Sequence, residues 1–437
     1  MAGCALLAIN WRDAAPSRDA LRMQATLDAR PVVADADNAY IDALGFGAPP
    51  GVDARASGFQ RLTWLRARMA DASTPVVLDY PDPDVDLRAV LPAAWKTLDK
   101  ACGTVGPACR SALEAHASRG DRTARLATLD RYDAMLGRQS WHEDIDLVVR
   151  APLPSYGNLL HAQRMSMASL WLSAPTRGAV VTIDALDADL RFWRRVLASS
   201  DLLVTKMIAA AAVRHHLQWA PLVLSRVTAQ GRGLTPPVEL ARPLALEERS
   251  LRRTLAGEWR WIQLSIGHSM LGNDVDQSGE PNWVQRLDRV LGTPFFQPQD
   301  TANRSAASMA TAVAWSEASY RAVGARAPAP RTDPDASTHW SGFAYNPVGR
   351  TLIEIAGPGL RSYATQAADL EGVRRAAMAG IALRARSVQP EQVAAALAAG
   401  PWRSPYDGAP LTWDAGARCI VFVGRAPADR ARTCVAY

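Results

Sequence analysis

The chain has 437 residues, 48% of them hydrophobic and 21% charged. That length can bury a large core in one or two domains, and the composition is ordinary for a globular protein. Forty-nine basic against 43 acidic residues leave a net charge of +6. The arginines are scattered among acids with no Lys/Arg block, so no phosphate-tracking stripe exists and nucleic acid is excluded as an expected partner. Only Lys96, Lys100 and Lys206 are lysines; heavy Arg and Ala use reflects a GC-rich coding sequence. The 14 tryptophans sit mostly at helical spacing beside Leu or Val, which is the pattern of core packing, with carbohydrate or polymer stacking as the alternative.

Residues 1–12 open with MAGCALLAI, then Asn10, Trp11 and Arg12. This is the expected tail of a hydrophobic anchor or signal segment, with Trp and Arg at the water interface. Nine apolar residues cannot span a bilayer, so the segment would be truncated or start upstream. Ala2-Gly3-Cys4 is alternatively the end of a lipoprotein cleavage box, although the apolar ALLAI after Cys4 argues against it. Residues 13–85 read as an extended, loop-rich arm, with a short helical turn at Asn38 to Leu44 and a short strand at Pro75 to Asp79. GFGAPPG at 45–51 lacks the strand-to-helix context and the spacing of a dinucleotide-binding loop, and is expected to be a plain loop.

Residues 86–325 are expected to form a helical body. Its helices are Arg88 to Lys100, Arg110 to His116, Arg122 to Leu136 and Leu159 to Leu172. Ile183, Leu186, Leu190, Trp193 and Leu197, spaced 3, 4, 3, 4, predict an amphipathic helix over 183–198. The stretch Ser200 to Leu224 is apolar nearly all round from Leu202 to Val213, the mark of a helix in the middle of a core. Ser200 or Asp201 is its expected N-cap. These three consecutive helices should pack as antiparallel neighbours. Leu244, Leu251, Leu255, Ile262 and Ile266 then predict one long helix, and another runs from Asp300 or Thr301 to about Val323.

Residues 326–345 contain RAPAPRTDPD, a Pro-rich linker or loop. Residues 346–400 are a helical segment packing on the body. Residues 401–437 change to β-hairpin character at Leu411 to Trp413 and Cys419 to Val423, with Thr433 to Tyr437 as a third strand. The fold expected is therefore mainly α: a large multi-helix body of antiparallel packed helices with a small C-terminal hairpin. Of the five cysteines, Cys102 and Cys109 enclose a Gly/Pro turn, and Cys419 and Cys434 flank the β region. Both spacings predict disulfides, which implies an oxidising compartment; reduced buried cysteines in a cytosolic protein are the alternative.

Few residues point to chemistry. Gly267 to Gly272 resembles the G-x-S-x-G elbow around Ser269, but the second glycine is one place too far and the approach is helical rather than a strand. Asp274, Asp276, Ser278 and Glu280 follow the D-x-D-x-S-G order of a calcium loop, with oxygens at alternate positions. Gln285 replaces the bidentate Glu of an EF-hand loop and Pro281 sits in its eighth place, so a solvated turn competes with calcium. His142, Glu143, Asp144 and Asp146 cluster one His with three acids, a metal site without a second ligand group. His215 and His216 point about 100° apart on a helix and do not share one metal easily. Lys206, alone among apolar residues, is either a base or nucleophile of lowered pKa or one half of a structural ion pair.

ADNAYIDALGF, WKTLDKAC with CRSALEAH, LDRYDAML, DTANRSA, AYNPVGRTLI and PYDGAPLTWD together resemble uncharacterised membrane-anchored envelope proteins of Gram-negative bacteria. The resemblance spans much of the chain. It implies a periplasmic location, inner-membrane anchoring through the N-terminus and a helical body, and it carries over no reaction. The expected function is non-catalytic: binding or scaffolding a protein or lipid-linked partner in the envelope. The alternative is an envelope hydrolase with an unrecognised site. If Asp274, Asp276 and Ser278 hold calcium, millimolar calcium should raise the melting temperature, with a Kd of about 10⁻⁴–10⁻³ M because the bidentate Glu is missing. Asp276→Ala should abolish the shift; no shift in the parent protein means a turn only.

Overall fold

A computed structural model of the chain describes residues 9–69, 79–118, 126–144, 146, 152–228, 235–271, 295–325, 344–356, 359–427 and 431–437. It is mainly helical, at 67%, which is the expected fold class. The stretch expected at the centre is there: α9 (Leu203–Thr228) buries Ala209, Ala212, Val213, Leu217, Trp219, Ala220 and Val223. Before it run α7 (Tyr156–Arg177) and α8 (Ala179–Ser199), and both pack on it. On α8, Leu186, Leu190, Trp193 and Leu197 are buried as their spacing requires. The most intimate neighbour of α9 is α16 (Leu360–Ala385). Half of its buried residues are Ala or Gly, small enough for other elements to approach its backbone closely. A Cβ on Gly372 would meet the Phe422 ring at 2.1 Å.

The first part of the chain corrects an expectation. Residues 13–85 hold α1 (Arg18–Asp28), α2 (Ala39–Leu44) and α3 (Ala54–Met69), and Met23, Tyr40, Leu44, Phe46 and Leu62 join the common core. Short apolar runs between polar residues look loop-like in sequence: α1 buries only Ala20 and Met23, whereas all six residues of α2, the helical turn expected at Asn38 to Leu44, are buried. Asn38 caps α2, accepting from the Tyr40 N–H at 3.1 Å. The segment 75–78 of the expected strand, residues 326–343 of the expected linker and the anchor residues 1–8 lie outside the described residues.

The middle helices follow: α4 (Ala93–Ala101), α5 (Pro107–Ser118) and α6 (Ala127–Leu136). Two helices expected to be continuous are broken. After α10 (Val238–Ala241) and α11 (Leu246–Arg249), Ser250 turns extended; its Oγ accepts from the Arg252 N–H at 3.1 Å and starts α12 (Arg252–Leu271). Likewise α13 (Pro298–Glu317) and α14 (Tyr320–Ala325) are parted at Ala318, which is extended. A heptad-like stripe survives a two-residue break, so periodicity alone did not reveal either. α15 (Pro347–Ala356) and α17 (Val393–Ala399) complete the helices.

The C-terminal region is the expected hairpin with the expected third strand added, a three-stranded antiparallel sheet of β1 (Thr412–Asp414), β2 (Cys419–Val423) and β3 (Arg432–Ala436) in that order. Cys419 pairs with Ala436 and Val421 with Cys434 in register, and the Cys419–Cys434 disulfide ties β2 to β3. The second disulfide, Cys102–Cys109, closes the turn between α4 and α5. Both expected pairs are present. Among the described residues no helix is long and apolar enough to cross a membrane.

Gly372→Ala should destabilise the protein by about 1–3 kcal/mol through overpacking against Phe422. A thermal melt of the variant checks this; a melting temperature equal to the parent's means that α16 and β2 do not pack as closely as described.

Candidate functional site

Two cavities lie at opposite ends of the central helix. The first is at its N-terminal end. Residues 141–144 run extended beside Asn38, whose Nδ2 donates to the His142 carbonyl at 2.9 Å while its Oδ1 accepts from the His142 N–H at 3.0 Å. Side chains on an extended segment alternate in direction. Trp141 and Glu143 are therefore buried, while His142 and Asp144 line a cavity of about 280 Å³ with Arg30, Tyr40, Leu62 and Arg66. Asp146 pairs instead with Arg260 at 3.1 Å on the surface. This alternation disperses the His and acids that sequence groups together, and among the described residues no cluster of three or more such ligands could hold a metal.

Glu143 reaches beneath the cavity to the start of α9. Its carboxylate accepts from the Asp201 N–H at 2.8 Å, the Leu202 N–H at 3.1 Å and the Thr205 hydroxyl. Glu258 on α12 accepts from the Leu203 N–H at 2.6 Å. The N-cap expected at Ser200 or Asp201 is thus corrected. The Ser200 hydroxyl donates to the Val196 carbonyl at 2.5 Å, and the Asp201 carboxylate pairs with Arg253 at 2.8 Å and Arg30 at 3.2 Å. Three backbone donors at the start of the central helix are thus satisfied by carboxylates from two other parts of the chain. A Cβ on Gly257 would meet the Asp201 carbonyl at 1.9 Å, so only glycine lets α12 bring Glu258 this close. Burial, and then the Asp201 charge, push the Glu143 carboxyl up to about 7. Burial pushes His142 down.

The other sequence candidates are structural. Lys206 is buried, and its Nζ donates to the carbonyls of Leu197 and Glu247. Burial lowers it to about 7, yet it lines neither cavity. His216 shares a hydrogen bond of 2.7 Å with Asp189, which also accepts from Tyr132 at 2.5 Å and Gln163 at 3.1 Å. His215 Nε2 accepts from Trp219 at 2.9 Å, and burial pushes it down to about 3. The backbone is helical through Leu271, so the Ser269 stretch is no strand-to-helix elbow. The calcium candidates Asp274, Asp276, Ser278 and Glu280 lie outside the described residues.

The second cavity, of about 400 Å³, lies at the other end of α9 beside Ser225. Arg110, Arg384, Arg418 and Tyr437 line it. Arg110 donates to the Tyr437 main-chain oxygen at 3.0 Å, and Arg384 donates to the carbonyls of Pro221 and Ala436 and lies 5.0 Å from the Tyr437 ring centre. Burial first, then Arg110 and Arg418, lower Arg384 to about 10. Sequence reasoning missed this group, because its arginines are 274 and 34 positions apart in a chain full of arginine (384 − 110; 418 − 384). One signal existed: Arg110 follows Cys109 and Arg418 precedes Cys419, so each adjoins a disulfide. Comparison of the chain with protein families, curated proteins and solved structures finds no match.

Glu143 sets a pH dependence of stability. Its carboxyl ionises at 4.5 in the ordinary state and near 7 in the folded chain. Between those values the folded chain keeps a proton the unfolded chain has lost. The contribution is therefore full below about 4.5 and is lost as pH rises through 7. Lys206 is lowered from 10.5 to about 7, so its own window lies above 7 and does not overlap. Glu143→Gln, which resembles the protonated acid, should gain in melting temperature relative to the parent between about pH 5 and about pH 7. A difference independent of pH would show that Glu143 is not held protonated.

Proposed function

We propose that this chain is a non-catalytic binding or scaffolding protein of an oxidising, extracytoplasmic compartment, where it holds a protein or lipid-linked partner. Two disulfides, Cys102–Cys109 and Cys419–Cys434, support the compartment, because such bonds persist where thiols are not kept reduced. The resemblance to membrane-anchored envelope proteins of Gram-negative bacteria supports the periplasm and anchoring to the inner membrane through the N-terminal segment.

One observation supports the non-catalytic role: Lys206, Glu143 and the His216–Asp189 pair line neither cavity, and of the histidines and acids only His142, Asp35 and Asp144 line the first. Lys206, His216 with Asp189, and Glu143 are buried and bonded to carbonyls, hydroxyls and backbone N–H groups. A nucleophile or general base must reach the atom it acts on. The cavity walls carry mainly Arg, apolar and aromatic groups, which hold a ligand rather than convert it. The hydrolase alternative is favoured by a single feature: His142, half-buried on the wall of the first cavity, has a buried Nδ1 without a hydrogen-bond partner, and a neutral imidazole there is a base in waiting.

Crosslinking in intact cells should trap a protein or lipid-linked partner, and His142→Ala should leave both the crosslink and the protein's cellular function unchanged. Loss of function with an unchanged melting temperature and an unchanged crosslink would replace this proposal with the enzyme.

A further inference from the structure

The cavity at the C-terminal end of α9 gathers three guanidinium groups from three separate parts of the chain. Arg110 comes from the first turn of α5, Arg384 from the last turn of α16, and Arg418 from the turn between β1 and β2. Arg110 and Arg418 are each adjacent to a disulfide cysteine. The backbone that carries them is thereby fixed against the unfolded freedom of two loops. Arg384 is anchored by two carbonyls and the Tyr437 ring. The arginines are therefore preorganised together, although burial and then their mutual repulsion oppose it: burial and then Arg418 lower Arg110, and burial, then Arg110 and Arg418, lower Arg384.

What offsets this charge is incomplete. No acidic side chain lines the cavity among the described residues. Glu114, one turn along α5 from Arg110, acts on Arg110 but is exposed and screened. The carboxyl ends of α9 and α16 carry about half a negative charge each, and a main-chain carboxylate at Tyr437 supplies at most one more. Arg384 uses its donors on Pro221 and Ala436, and Arg110 uses one on Tyr437. The Arg418 guanidinium is exposed and has no hydrogen-bond partner among the described residues. Donors on Arg110 and Arg418 thus remain open at the cavity, with the hydroxyl side chain of Ser387 and the amide of Gln389 on the same wall.

We propose that this cavity binds a phosphoryl group, with Arg418 and Arg110 donating to its oxygens and Arg384 forming the basic floor. Guanidinium forks match the tetrahedral oxyanion bidentately, which an ammonium does not. A cavity of about 400 Å³ holds a phosphate with part of the molecule it belongs to. The chemistry is shared by a phospholipid headgroup and a free phosphate compound. The biological use of the site rests on the binding role proposed above; the binding itself is a property of the purified protein.

The test is calorimetric titration of the full chain with sodium pyrophosphate and sodium phosphate, against sodium chloride at matched ionic strength. Co-sedimentation with phosphatidylcholine vesicles, with and without phosphatidic acid, forms the second arm. Saturable binding is expected, weakened by at least about tenfold in Arg418→Ala because a charge-assisted hydrogen bond is lost. Arg88→Ala, at an exposed arginine paired with Asp86, should bind like the parent. Arg418→Gln serves in place of Arg418→Ala if the latter loses its helical circular dichroism. Binding to free pyrophosphate but not to vesicles assigns a free phosphate compound; binding to phosphatidic acid vesicles that Arg418→Ala abolishes assigns a lipid headgroup. An effect matched by chloride, or affinities equal in the parent and both Arg418 variants, overturns the site. Phosphate binding lost in Arg418→Ala while cellular crosslinks stay as in the parent would keep the site and detach it from the scaffolding role.

Discussion

The structure depends on how the N-terminus of the central helix is satisfied. A buried helix start leaves unpaired N–H groups, and each unpaired group in the interior costs about 1–3 kcal/mol. Glu143 takes the Asp201 and Leu202 donors and Glu258 takes the Leu203 donor. One set of hydrogen bonds therefore joins the extended segment at 141–144, α9 and α12. The same device recurs. Asp13 accepts from the N–H groups of Gln299 and Asp300 at the start of α13, and Asp187 accepts from those of Val238 and Glu239 at the start of α10. Carboxylates suit helix N-termini electrostatically as well as geometrically. In this protein they also act as tertiary ties between remote segments.

The arginines serve the complementary purpose. Arg194 is buried, and its five N–H groups reach the carbonyls of Glu239, Arg242 and Pro243 and both oxygens of Glu248. Arg374 pairs bidentately with Glu371 and donates to the carbonyls of Leu240 and Ala241. A buried charge is tolerated when every donor is used, and only the guanidinium fork can use five. This gives the scarcity of lysine a structural consequence beyond coding bias: arginine closes loop carbonyls that a point charge would leave open.

These ties also divide the molecule by purpose. Of the groups that look reactive in sequence, Glu143, Lys206 and His216 are consumed inside by hydrogen bonds. The disulfides lie near the other end of α9, where Arg110 and Arg418 adjoin them. Covalent bracing is concentrated where like charges are brought together and packing alone would not hold them.

The sequence by itself determined what local periodicity and spacing can encode. The apolar run at 202–213 made the central helix, the 3, 4, 3, 4 stripe made α8, and the short Cys102–Cys109 and Cys419–Cys434 separations made both disulfides, because the residues involved are near neighbours. Tertiary structure alone decided the caps. Ser200 looked like the N-cap, but a remote carboxylate with two oxygens at the buried end displaced it, and no local pattern records Glu143 or Glu258. The breaks at Ser250 and Ala318 were hidden because a hydrophobic stripe tolerates a short interruption. Within 13–85 the turn at Asn38 to Leu44 was legible as α2, but α1 and α3 were hidden because their stability comes from contacts with the body rather than from their own apolar faces. The arginine cavity was hidden for the strongest reason: its three residues come from elements with no sequence relation, and only the packing of α5, α16 and the sheet around the end of α9 brings them to one wall.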